Sequence, residues 1–114
     1  MRAKFLADTS ALARLTKPEV ARVLEPLVIE GAVAISAIVN LEILRYTLGP
    51  ADHQRAAANL LKLEKVGIND RITERALTVQ AKLAQQSEHR GVKVPDLLIA
   101  AAAEAAGLVL LHYD

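Results

Sequence analysis

The sequence predicts an α/β fold: a central parallel sheet flanked by helices in three layers, built as one domain over residues 1–114. Three observations lead there. Four short apolar runs, Lys4–Ala7, Ala32–Ile35, Val66–Ile68 and Leu108–Leu111, are continuous rather than alternating, as in strands buried on both faces. The segments between them carry apolar residues at helical spacing, which makes strands alternate with helices. The chain is 53% hydrophobic over 114 residues, enough to fill one core.

Each element has its own local reason. The first strand run ends at Asp8-Thr9-Ser10, residues that favour turns and helix N-caps. Ala11 to Leu15 reads as one or two helical turns. Pro18 restarts a helix in which Val20, Val23, Leu24, Leu27 and Val28 recur at i, i+3, i+4, and Gly31 ends it. After the second strand, Ser36 caps a helix from Ala37 to about Leu48, with Glu42 among its apolar residues, and Gly49-Pro50 closes it. Ala51 to Lys65 reads as helical, with Ala57, Leu60, Leu61 and Leu63 on the apolar side. Val66-Gly67-Ile68 supplies the third strand. Asn69-Asp70 opens a long amphipathic helix to about Arg90, with Ile72, Ala76, Leu77, Val79, Leu83 and Ala84 inward. Gly91 to Val94 connects to the last helix. Pro95 suits its first turn, where a missing N–H costs nothing, and Asp96 there faces the positive end of the helix dipole. The alanine-rich run Ala100–Ala103 gives that helix a small, burial-prone surface, and Gly107 ends it ahead of the fourth strand.

Composition narrows the function. The 14 lysines and arginines nearly balance 13 acids, so the net charge is +1 and any nucleic-acid binding uses a local patch. Phe5, Tyr46 and Tyr113 are the only aromatic residues, too few for stacking on bases to be the main mode of binding. Cysteine is absent, which excludes disulfides, thiolate metal sites and a cysteine nucleophile. The apolar run after the basic start stops at Asp8, too soon for a signal peptide. No run reaches the roughly 20 apolar residues of a membrane span. A cytoplasmic protein is the expectation.

Four acids stand at the ends of elements. Asp8 follows the first strand run, Asp114 the fourth, Asp96 heads the helix leading into strand four, and Glu42 lies in the second turn of the helix leaving strand two. In open parallel sheets, sites form beyond the carboxyl ends of the strands. With strands one and four adjacent, Asp8 and Asp114 lie side by side there. Each acid also has a plain structural account: Asp8 and Asp96 as helix caps, Glu42 as the partner of Arg45, Asp114 as a terminal residue. Two carboxylates about 4 Å apart repel by about 4 kcal/mol at an effective dielectric near 20, so a cluster of them calls for a cation. Oxygen ligands point to Mg²⁺, with Mn²⁺ as a substitute. Such an ion activates water and neutralises a phosphodiester, and the reaction implied is in-line phosphodiester hydrolysis.

The residues also carry a resemblance. LADTSAL at Leu6–Leu12, ISAIVNLEILR at Ile35–Arg45, VPDLLIAAAAE at Val94–Glu104 and LLHYD at Leu110–Asp114 resemble the four signature blocks of PIN-domain ribonucleases, above all VapC-type toxins of toxin–antitoxin pairs. The ordered set, not any one block, is specific. The resemblance implies a PIN-like fold with strand order 3-2-1-4-5 and Mg²⁺ held by Asp8, Glu42, Asp96 and Asp114. Thr9 or Ser10 would hold a metal-bound water. It further implies an RNA substrate, a homodimer, and a cognate antitoxin whose C-terminal segment lies in an apolar groove and blocks the acidic site. The family usually continues past the fourth acid into a fifth strand, and the sequence ending at Asp114 leaves the domain expected without it.

Two rivals compete: a decayed PIN-like interaction protein, and a receiver-like phosphoacceptor module. The second fits poorly, since Asp8 lacks a neighbouring acid and Asp70 opens a helix. Arg14, Arg45 and Lys93 lie near the acids in sequence and could touch RNA phosphates, but solvated surface charge is the simpler account. His112 shares strand parity with Asp114 and is not counted among the site residues. The apolar stripes Val20–Val28 and Ile38–Leu48 suit either a partner groove or plain core.

Overall fold

The computed structural model describes residues 2–113. Four strands, β1 (Phe5–Ala7), β2 (Val33–Ser36), β3 (Glu64–Val66) and β4 (Val109–Leu111), form one sheet in the order β3-β2-β1-β4 with every pairing parallel. Around it lie α1 (Thr9–Leu12), α2 (Pro18–Ile29), α3 (Ala37–Arg45), α4 (Pro50–Leu60), α5 (Asp70–Ala84) and α6 (Val94–Ala106). A short 3₁₀ turn, His89–Gly91, precedes α6.

The sheet is covered on both faces, as the continuous apolar runs of β1, β2 and β4 require. Leu6, Ala34 and Leu110 are lateral neighbours and belong to the larger core with Val39, Ile72, Ala76 and the buried residues of α6. One residue along, Ala7 and Leu111 turn to the opposite face and pack with Ala11, Leu24 and Val33. The alternation is the period-two geometry of a strand. Strands β1 and β4 are neighbours, in register from Phe5↔Val109 to Ala7↔Leu111, so their carboxyl ends open on the same rim.

Helix ends follow local chemistry. Ser36, fully buried at the end of β2, accepts a hydrogen bond at 3.3 Å from the Val39 N–H and caps α3. Asn69 does the same for α5 through the Ile72 N–H at 3.0 Å. Gly31 and Gly107 take left-handed conformations with φ of 76° and 68°. Each closes its helix with a paired motif, in which Ala32 donates to the Leu27 carbonyl and Leu108 to that of Ala103.

Three helix ends and the third strand differ from the sequence reading, the strand being Glu64–Val66 rather than Val66–Ile68. Helix α3 stops at Arg45, and the Thr47 hydroxyl donates to the Leu44 carbonyl at 2.7 Å. Helix α4 stops at Leu60, because Glu64–Val66 are drawn into pairing with Ala34–Ser36. Helix α5 ends at Ala84 rather than near Arg90. There Ser87 takes φ 57° while Glu88 donates to the Leu83 carbonyl at 2.8 Å, the same closing motif without its usual glycine. The left-handed conformation strains a side-chain-bearing residue by about 1 kcal/mol. Ser87→Gly should therefore raise stability by about 1 kcal/mol in urea unfolding, and a loss of stability would contradict it.

Some apolar residues expected inside are outside. Leu61 is 76% exposed and Leu77 60%, while Ile72 and Ala76 are buried as expected. No helix among the described residues is long and apolar enough to cross a membrane.

Candidate active site

Asp8 comes directly off the end of β1 with extended backbone, φ −79° and ψ 160°, in the N-cap position of α1. Its N–H donates to the Leu111 carbonyl at 2.8 Å, which ties the ends of β1 and β4 together. Its carboxylate makes no capping hydrogen bond, so helix capping does not account for it. Instead the Ser10 hydroxyl donates to Asp8 Oδ2 at 3.0 Å and accepts from the Tyr113 N–H at 3.0 Å. One side chain thus fixes the carboxylate against the chain leaving β4.

Asp96 is the third residue of α6, after Val94 and Pro95, and is exposed. The Lys93 side chain does not cap this helix either, and Asp96 lies in its first turn, at the positive end of the dipole. Burial of Leu97 and Ile99 immediately after it fixes the pitch of the helix and with it the aspartate.

Asp8 and Asp96 line one cavity of about 250 Å³ together with Ser10, Ile99, Leu110, His112 and Tyr113. Ile99 and Leu110 belong to the core, so the two carboxylates share an opening with an apolar floor. Glu42 does not line this cavity. It lies in the second turn of α3 and accepts from the Thr9 hydroxyl at 2.9 Å, one residue beyond Asp8. The ion pairs among the described residues are Arg55–Asp52 and Arg75–Glu104. Arg45, a possible partner for Glu42, instead lies 5.9 Å from the Tyr46 ring centre. Asp114 lies outside the described residues.

Thr9 and Ser10 thus both act on carboxylates, one on Glu42 and the other on Asp8. Sequence reasoning raised His112 only to set it aside, yet it lines the cavity. Strand parity was the available signal, since Leu110 and His112 point the same way from β4. Tyr113 was missed altogether as a site residue. Its contact with Ser10 spans 103 positions and has no local signature.

Among the described residues, no group of three or more acids or histidines converges tightly enough to hold a metal without help. The donor set nevertheless suits a hard divalent ion. Mg²⁺ takes one or two carboxylates directly and keeps several waters, and the cavity offers two carboxylates beside a hydroxyl with room for solvent. A thiolate-ligated metal has no ligands here, since the chain has no cysteine.

Comparison with known proteins identifies the family. Residues 5–114 match the PIN domain family. Over 114 residues the chain is 44% identical to Ribonuclease VapC51 of Mycobacterium tuberculosis, covering 100% of this chain and 82% of that protein. It is 37% identical over 115 residues to Ribonuclease VapC21 of the same species, with 100% and 83% covered. Among solved structures, DNA-bound VapBC from Salmonella typhimurium superposes with a TM-score of 0.75 at 22% identity, over 95% of this chain and 84% of that one. A toxin–antitoxin complex from Klebsiella pneumoniae gives 0.72 at 24%, over 96% and 85%. At those identities the structures speak for the fold alone, whereas the sequence relatives speak for kinship. With the family match running through the whole sheet, this chain belongs to the PIN-domain family, as a VapC-type member.

Proposed function

We propose that this chain is a Mg²⁺-dependent endoribonuclease that acts in the cytoplasm as a toxin and is neutralised by a cognate antitoxin. One observation carries the reading: Asp8 and Asp96, 88 positions apart, line the same small cavity at the end of β1 and β4. The relatives named as VapC ribonucleases support it.

Asp8 and Asp96 are the residues that hold the ion. Mg²⁺ supplies a polarised water and neutralises charge on the phosphodiester when bound, and Mn²⁺ suits the same ligands. Ser10 keeps Asp8 from rotating out of the cavity. Glu42, held by Thr9, and Asp114 complete the acidic set and orient the attacking water. With the ion bound, a water would add to phosphorus in line with the leaving oxygen; the P–O bond would break, the water's proton passing to an acidic side chain or solvent and the leaving oxygen taking up a proton from solvent. The carboxylates alone would repel the substrate, so RNA binding needs the cation as well as the protein.

An apolar groove of about 400 Å³, walled by Leu12, Leu15, Val28, Ile43 and Leu60, is a fitting seat for the antitoxin segment. The VapBC assemblies that share this fold support such a partner. A homodimer is part of the same reading.

The test is cleavage of total RNA by the purified chain. Cutting in Mg²⁺ or Mn²⁺, its loss in EDTA and its return on adding metal are expected. Cleavage that persists in EDTA would remove the metal, and no cleavage under any condition would favour a decayed interaction protein. Thr9→Val should raise the Mg²⁺ concentration needed for half-maximal cleavage about 10- to 100-fold by freeing Glu42, as loss of an outer-sphere partner does. An unchanged Mg²⁺ titration would separate Glu42 from the metal.

A further inference from the structure

Arg14 and Lys17 lie in the turn between α1 and α2, a few residues beyond Asp8, and both are exposed. Neither points away into solvent alone. The Arg14 guanidinium lies 5.6 Å from the centre of the Tyr113 ring and the Lys17 ammonium 4.9 Å. Lys17 Nζ also donates to the Tyr113 hydroxyl at 3.3 Å. Tyr113 lines the acidic cavity, and its main-chain N–H holds the Ser10 hydroxyl that holds Asp8.

Two cations are therefore gathered on one aromatic ring at the edge of a cavity that contains carboxylates. The ring face attracts each cation but neutralises neither. Among the described residues no carboxylate pairs with Arg14 or Lys17, since the ion pairs there involve Arg55 and Arg75. Two like charges kept together favour an anion that can bridge them. The chain's overall charge of +1 supplies no other pull on a polyanion. The acidic cavity itself opposes a phosphate until metal is bound, so a strand entering it needs a basic hold just outside.

We infer that Arg14, Lys17 and Tyr113 form a phosphate-holding ledge that grips the single RNA strand where it passes out of the acidic cavity. This inference rests on the ribonuclease reading and deepens it. The ledge governs substrate binding. It touches the phosphates flanking the scissile one, and the chemical step stays with the carboxylates. Tyr113 is a positioning residue that holds the two cations together.

The test uses a fluorescein-labelled single-stranded RNA of about 20 nucleotides, bound by the Asp96→Asn chain at a fixed Mg²⁺ concentration high enough to offset its weaker metal binding, across a monovalent salt series. Adding Arg14→Gln and Lys17→Gln should raise Kd about tenfold or more near 0.1 M salt. It should flatten the slope of log K against log salt by about 1.4, the value for two phosphate contacts on a single strand. With Asp96 intact, the same pair should raise KM by a similar factor and leave kcat within about twofold. Tyr113→Phe keeps the ring and should retain affinity within about twofold, while Tyr113→Ala should lose it in part. The main-chain link to Ser10 survives in both.

Arg55→Gln with Arg71→Gln is the control. Arg71 shares a separate cavity with Glu104 and Ala105, at the opposite end of α6 from Asp96. That pair should change neither Kd nor slope. The ledge is overturned if the Arg14/Lys17 pair binds RNA like its parent, if the control pair loses as much, or if kcat falls with KM unchanged. If the unsubstituted chain neither binds nor cuts RNA in Mg²⁺, the ribonuclease reading fails first and takes the ledge with it.

Discussion

Asp96→Asn should reduce RNA cleavage by at least about a hundredfold while the chain stays folded, since loss of even an outer-sphere partner of a metal costs about 10- to 100-fold. The substitution keeps the size of the side chain and removes its charge. Asp96 is exposed and makes no hydrogen bond or ion pair with the described residues, so little else is lost. The remaining effect is the weaker interaction with the α6 dipole, about 0.3–1 kcal/mol. Activity and stability therefore separate cleanly at this position. Cleavage of total RNA in Mg²⁺, alongside a thermal melt of the same preparation, checks both. Undiminished cleavage by the variant would remove Asp96 from the site.

Leu6→Ala should act in the opposite sense, on the frame that carries the site. Leu6 is fully buried in β1, between Ala34 of β2 and Leu110 of β4. Truncation there loses buried apolar surface and leaves a cavity that flanking strands cannot close, at a cost of about 2–5 kcal/mol. A small domain has only about 5–15 kcal/mol in total, so the loss is a large share of it. The melting temperature should fall by about 10 °C or more. Asp8 lies two residues further on, held by the Leu111 carbonyl, so slack in β1 also reaches the carboxylate. Circular dichroism melting measures the effect. A shift of only a degree or two would mean that β1 is not the centre of the core.

Strands β1, β2 and β4 were readable because they are continuous apolar runs, and continuity is what burial on both faces produces, whereas β3 lies two residues before the expected Val66–Ile68. Caps were readable for the same local reason. Ser36 and Asn69 supply side-chain acceptors, and Gly31 and Gly107 supply left-handed backbone. Ser87 was not readable, because serine carries no signal for φ 57° and the helix pattern runs on past it. The end of α4 was missed because Glu64 and Lys65 look helical in isolation, and only pairing with β2 makes them strand. Leu41, Leu48, Leu61 and Leu77 are as apolar as the core leucines, and nothing local marks them as exposed.

The site was partly readable. Asp8 and Asp96 stand out because each is a lone acid beside an apolar element, at a place where parallel sheets put their sites. Glu42 was expected at the same rim, and the structure links it to Thr9 rather than to the cavity shared by the two aspartates. Spacing along α3 gives the helix face but not the distance to the next strand end. The grouping of Arg14 and Lys17 on Tyr113 depends on contacts across 96 or more positions, so the sequence shows only scattered surface charge.

The most direct measurement is a calorimetric titration of Mn²⁺ into the unsubstituted chain and into its Asp8→Asn and Asp96→Asn variants. Shared ligation predicts saturable binding in the first, and a loss of about tenfold or more in affinity in each variant. If either variant binds Mn²⁺ as tightly as the unsubstituted chain, Asp8 and Asp96 do not hold a common ion, and the nuclease centre built on them is contradicted.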